Sequence, residues 1–149
     1  MFKGQVSTEY LVILAIVLVV ALVVVYLVGG FAGMGAGTIE TQSQQAWATT
    51  APLSITILKQ SGSTLEMEIQ NNDVDTLILT DITMDGASVF STNTTFASGA
   101  KLVVNATTAT TCGTTGTMFT HENVILTYNK GGITGKTEVG SRPLMGRCS

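Results

Sequence analysis

Side chains able to do chemistry are sparse in this chain, and few are spaced to act together. There is one histidine, His121, and there are two cysteines, Cys112 and Cys148. Nucleophilic catalysis needs a nucleophile and a base within hydrogen-bond reach, and His121 has no evident nucleophile partner in the sequence. There is also no Gly-rich phosphate loop, no G-x-S-x-G elbow and no His-rich metal pattern. Two carboxylate pairs are close in sequence. Glu66 and Glu68 alternate along a strand-like pattern, which puts both on one face, most simply the solvated one. Asp73 and Asp75 fall in the turn cluster 71–75, where Asp is common; calcium at that turn is the alternative. The cysteines are too few for a structural metal site. In an exported domain they would bridge, and in a reducing compartment they would remain two thiols. The reading is therefore of a non-enzyme with no catalytic residue, no metal and no cofactor.

What the chain has in place of a reactive constellation is an apolar segment near its start. From Leu11 to Val28 there is no charged residue, and the Tyr26 hydroxyl is the only side-chain donor. Such a run is long enough to read as a membrane-spanning helix. In lipid the backbone must satisfy its own hydrogen bonds, which a single segment can do only as a helix. Val and Ile dominate the run, and both are poor helix formers in water, so lipid or neighbouring helices must support it. Glu9 stands at the polar edge of this run, and no Lys or Arg follows until Lys59. A carboxylate is costly at mid-bilayer and much less so near the headgroups, where it also meets the positive end of the helix dipole.

The residues ahead of the run have an unusual order. A secretory signal places its small-residue cleavage site after the apolar stretch. Here a basic residue and a glycine precede it, in Lys3-Gly4-Gln5-Val6-Ser7-Thr8-Glu9-Tyr10. This segment resembles the processing region of archaeal type IV pilins with a class III signal peptide. The resemblance implies a leader over residues 1–4 that a prepilin peptidase removes between Gly4 and Gln5, with the apolar helix kept in the mature chain. Glu9 then becomes the fifth mature residue, where type IV pilin-like proteins carry a glutamate that pairs with the new α-amino group of a neighbouring subunit and sets register.

The remainder reads as a stalk and a head. Gly29, Gly33 and Gly37 recur every four residues, a spacing that permits close helix approach or marks a hinge. Polar helix-compatible sequence resumes at Thr38 and ends near Thr50, since Pro52 disfavours helix at Ala51. The helix is thus expected over 5–50, with Trp47 packing on the domain that follows. Beyond Leu53 the period shortens to two. A hairpin is expected from 53–58 and 64–70 around a turn at 59–63, then strands at 76–84, 88–90, 101–104, within 119–128, and at 133–139. The Thr-rich stretch 107–117 reads as a loop. Six or seven short strands predict an immunoglobulin-like β-sandwich over 53–149, making the chain α+β with a long N-terminal hydrophobic helix. Asn93-Thr94-Thr95 and Asn105-Ala106-Thr107 are N-glycosylation acceptor patterns. Net charge is −3 with no basic patch, which gives nucleic-acid binding no support.

These readings converge on a structural subunit. The expected partners are copies of the same chain in a helical filament, the peptidase and pilus assembly machinery, and the membrane before assembly. The expected location is the cytoplasmic membrane as precursor and the cell surface as an adhesive filament. A monomeric membrane-anchored binding protein and a minor pilin are the alternatives.

Overall fold

The computed structural model describes the backbone of residues 3–30 and 32–149, and side-chain surroundings for 8–27 and 37–149. The apolar run forms α1 (Lys3–Gly30), beginning two residues ahead of Gln5, and the polar continuation forms α2 (Ala32–Ala48). The glycine-rich stretch is helical up to Gly30 and again from Ala32. The helix ends before Ala51-Pro52, as the restriction on a residue preceding proline requires. The Thr49 and Thr50 hydroxyls donate to the last-turn carbonyls of Gln45 and Ala46, at 2.9 and 2.7 Å. The chain divides into two compact units, one up to Ile39 and one running from Glu40 to Ser149.

The second unit holds the end of α2 and nine strands: β1 (Leu53–Asn71), β2 (Leu77–Met84), β3 (Ala87–Phe90), β4 (Thr94–Phe96), β5 (Lys101–Cys112), β6 (Met118–His121), β7 (Ile125–Lys130), β8 (Ile133–Val139) and β9 (Leu144–Arg147). β1 pairs with β5, β6 pairs with β9, and the remaining sheet runs β3-β2-β7-β8 with β4 also on β2. All these ladders are antiparallel. The result is an N-terminal apolar helix followed by a mostly antiparallel β-sheet domain.

The hairpin expected over 53–70 is present within one long strand, and two further details differ from the expected strand map, each for a physical reason. β1 is one strand of 19 residues, yet an extended strand of that length would run about 60 Å. It folds back on itself instead. Asn72 N–H donates to Pro52 O at 2.8 Å and the Thr56 hydroxyl donates to Glu68 O at 3.3 Å, two contacts centred on Gly62, whose φ of +56° suits a turn. Next, β5 does not stop at Val104 but continues to Cys112, so half of the expected 107–117 loop is strand. Val104, Ala106 and Thr108 are buried in alternation, and β-branched Thr suits a half-buried pleated surface. Finally, the strand expected within 119–128 is β7, starting at Ile125, and ahead of it β6 pairs with β9; the strand map lacked both β6 and β9.

Inward residues of β1 and β2 build the core. Leu65, Met67 and Ile69 face in at a spacing of two. On β2 the inward set is Leu77 and Leu79, then Ile82 and Met84. The step of three coincides with a register shift against β7 between Leu79 and Asp81, as a bulge produces.

Candidate functional site

The surface with the strongest physical demand on a partner is α1. Over Thr8–Leu27, 20 residues of mean hydropathy 3.2, none of the span is buried among the described residues. Large apolar side chains from Tyr10 to Leu27 are about half exposed or more all round the helix. A helix apolar on every side belongs in lipid or in a protein interior. At about 1 kcal/mol for each half-covered side chain, covering this surface is worth roughly 15 kcal/mol. That matches or exceeds the whole stability of an ordinary domain, about 5–15 kcal/mol. By length and composition the segment suffices for a membrane anchor or a signal.

Glu9 is exposed on this helix, beside Thr8, Val12 and Ile13, and no ion pair reaches it among the described residues. Gly4, Gln5, Gly29 and Gly33 are described as helical backbone only, and their surroundings lie outside the described residues. At Gly37 a methyl group would meet nothing within 4 Å.

The end of α2 is built into the head. Ser43 is buried and bridges two backbone groups: its hydroxyl donates to Pro143 O at 2.6 Å and accepts from Met145 N–H at 3.1 Å. Trp47 is 1% exposed, and its indole N–H donates to Arg142 O at 3.1 Å. A Cβ on Gly140 would lie 1.9 Å from that indole ring, so only glycine fits beneath it. Arg147 reaches Glu40 at 3.0 Å. The next residue, Cys148, is bridged to Cys112, with Cα atoms 5.4 Å apart. One short C-terminal stretch thus carries β9, the seat of α2 and the disulfide.

The other reactive groups are structurally engaged. His121 is fully buried between Asp85, at 2.9 Å from Nδ1, and Gln60, at 2.9 Å from Nε2. Gln60 in turn donates to Thr108 Oγ and Thr110 O. Both ring nitrogens are occupied and neither faces a nucleophile, so the group joins β1, β5, β6 and the Asp85-Gly86 turn. At the Asp73–Asp75 turn, the Lys130 ammonium takes the position a cation would take. It contacts Asp73, and Asp75 at 3.3 Å. Its hydrogen bond holds the Asp73 carboxyl below the usual range and raises Lys130 in turn. Glu68 is likewise lowered, first by the Thr56 hydroxyl and then by Lys101. Among the described residues no cluster of three or more His, Cys, Asp or Glu side chains is placed to hold a metal.

Glu138 went unread in the sequence. It sits on β8 with one oxygen accepting from Leu53 N–H at 3.0 Å and the other, Oε1, buried without a partner. Desolvation pushes its carboxyl up to about 7, against the lowering effect of the Leu53 bond. No sequence signal marks it, because ITGKTEV reads only as a strand, with nothing to tell which face its glutamate takes. The Gln60–His121–Asp85 group and Lys130 were also missed, since their members lie tens of residues apart. No known protein family profile matches this chain, and no curated protein matches it.

Proposed function

We propose that this protein is the structural subunit of an archaeal type IV-like pilus, polymerising through its N-terminal helix into a cell-surface adhesion filament. One observation carries the reading: a fully exposed apolar helix directly follows the Lys3-Gly4-Gln5…Glu9-Tyr10 motif and precedes a self-contained β head. In this reading the helix lies in the cytoplasmic membrane until the leader is cut between Gly4 and Gln5. It then exchanges lipid for copies of itself, a heterologous contact that repeats without closing. The head is an immunoglobulin-like sandwich facing outward, acidic and N-glycosylated, with no enzymatic role and no cofactor.

Glu9 has a defined task in such a filament. Cleavage creates an α-amine that is largely protonated at neutral pH. At about 4 Å and an effective dielectric near 20, the carboxylate of one subunit and the amine of the next attract by about 4 kcal/mol. Desolvation offsets most of this, so the pair selects register more than it adds strength.

The test is electron microscopy of material sheared from the cell surface, with N-terminal sequencing of its main protein. The expected result is filaments whose subunit begins at Gln5. Surface protein that retains Met1 and stays as single chains in detergent would instead establish a membrane-anchored binding protein.

A further inference from the structure

The two Asn-x-Thr acceptor patterns both have exposed asparagines but differ in backbone setting. Asn93 is exposed and belongs to no strand; it lies in the link between β3 and β4. Its hydroxyl residue, Thr95, sits on β4, which is only three residues long and pairs with β2 alone. Asn105 lies within the 12-residue β5, opposite Glu66 in a ladder that runs from Thr64↔Thr107 to Gln70↔Lys101. Its chain neighbours Val104 and Ala106 are 3% and 1% exposed. The Asn105 side chain also borders a groove of about 450 Å³ whose other wall is the segment Ser88 to Thr92.

Transfer of a glycan makes a demand that separates these settings. The Asn amide nitrogen bonds to the anomeric carbon of a lipid-phosphate-linked oligosaccharide. The carbon–oxygen bond to the carrier breaks, the phosphate leaves with the electron pair, and the amide proton passes to solvent. The transferase must hold the amide and the hydroxyl two residues later at once, which requires the acceptor segment to leave its own ladder. Freeing a loop and a three-residue strand breaks few ladder bonds, whereas freeing Asn105 means opening the long β1–β5 ladder around it, which costs more. We propose that Asn93 is the acceptor in the folded head and that Asn105 is closed to modification once β5 has paired with β1. This rests on the export of the head in the reading above.

The experiment is glycopeptide mass spectrometry on the full chain extracted from the cell surface. Occupancy at Asn93 is expected to exceed that at Asn105 by about tenfold or more. Equal or greater occupancy at Asn105, or no glycan at either asparagine, overturns the proposal, and neither result bears on whether filaments start at Gln5. A second arm presents unglycosylated full chain, folded in detergent or unfolded in urea and diluted, to an oligosaccharyltransferase with its lipid-linked donor. Asn93 should be modified in both samples and Asn105 only in the unfolded one; modification of folded chain at Asn105 would overturn the assignment independently.

Discussion

Between Tyr10 and Leu27 the least exposed large apolar side chain, Leu14, is still 49% exposed, whereas Leu53, Leu65, Leu77 and Leu126 in the head are 0% exposed. The two regions use similar residues to opposite ends. In the head, period-two alternation gives each strand one apolar face, and the faces cover one another. Between Tyr10 and Leu27 the apolar residues leave no polar stripe, and every large one stays about half exposed or more. The head covers its core with its own strands, while the helix surface calls for lipid or other protein around it.

The largest effect on localisation and assembly should come from giving the helix a charge. Val19→Lys places an ammonium mid-span, at a cost of about 2.5–3.5 kcal/mol on insertion scales. Membrane fractionation and filament counting should show both lost or strongly reduced, while circular dichroism of the head is unchanged. If head and helix fail together, the two regions are not energetically separate.

Next is the bridge that pins the head's C-terminal stretch. Cys112→Ser opens a loop with a sequence separation of 36, which should lower head stability by about 3–4 kcal/mol on the chain-entropy model. Urea unfolding followed through Trp47, the single tryptophan, reads this directly, because its seat and Cys148 share that stretch.

A smaller effect is expected from Glu138, whose carboxyl is raised from 4.5 to about 7 in the folded head. A raised carboxyl pKa means that the folded state holds the proton more tightly. Its contribution is therefore complete below about pH 4.5 and is lost as pH climbs through 7, by up to about 3 kcal/mol. The urea midpoint should fall across that window in the native chain and stay flatter in Glu138→Gln. A midpoint that rises with pH would contradict the burial argument.

The smallest energetic effect belongs to Glu9→Ala, since desolvation offsets most of the proposed pair. Membrane insertion should be intact and filament yield lower, as measured by sedimentation of sheared material. Normal filaments from this variant would remove Glu9 from assembly.

Legibility followed the range of the interactions. The helix of 8–27 was readable because its signal is local composition. β2, β8 and the β1 turn at Gly62 were readable because alternation and glycine mark them locally. β9 was not: Leu144-Met145-Gly146-Arg147 has too little alternation to stand out, and its strand character comes from pairing with Met118–His121. Lys130 lies 57 residues from Asp73 and His121 lies 61 from Gln60, so neither partnership has a trace in local pattern. The turn carboxylates read as ordinary turn residues with calcium as the lesser alternative, and the lysine that contacts both was not foreseen.

The amino-acid order alone determined that this protein carries a greasy N-terminal helix and a domain of strands, because periodicity and polarity act over a few residues. It also carried the Lys3-Gly4-Gln5 segment ahead of the helix and both Asn-x-Thr patterns, which are contiguous. Only the tertiary structure decided which carboxylate is buried, which cation fills the acidic turn, which segment seats Trp47 and which acceptor asparagine lies outside the strands. Those outcomes depend on distant segments meeting, and on the water that each meeting excludes.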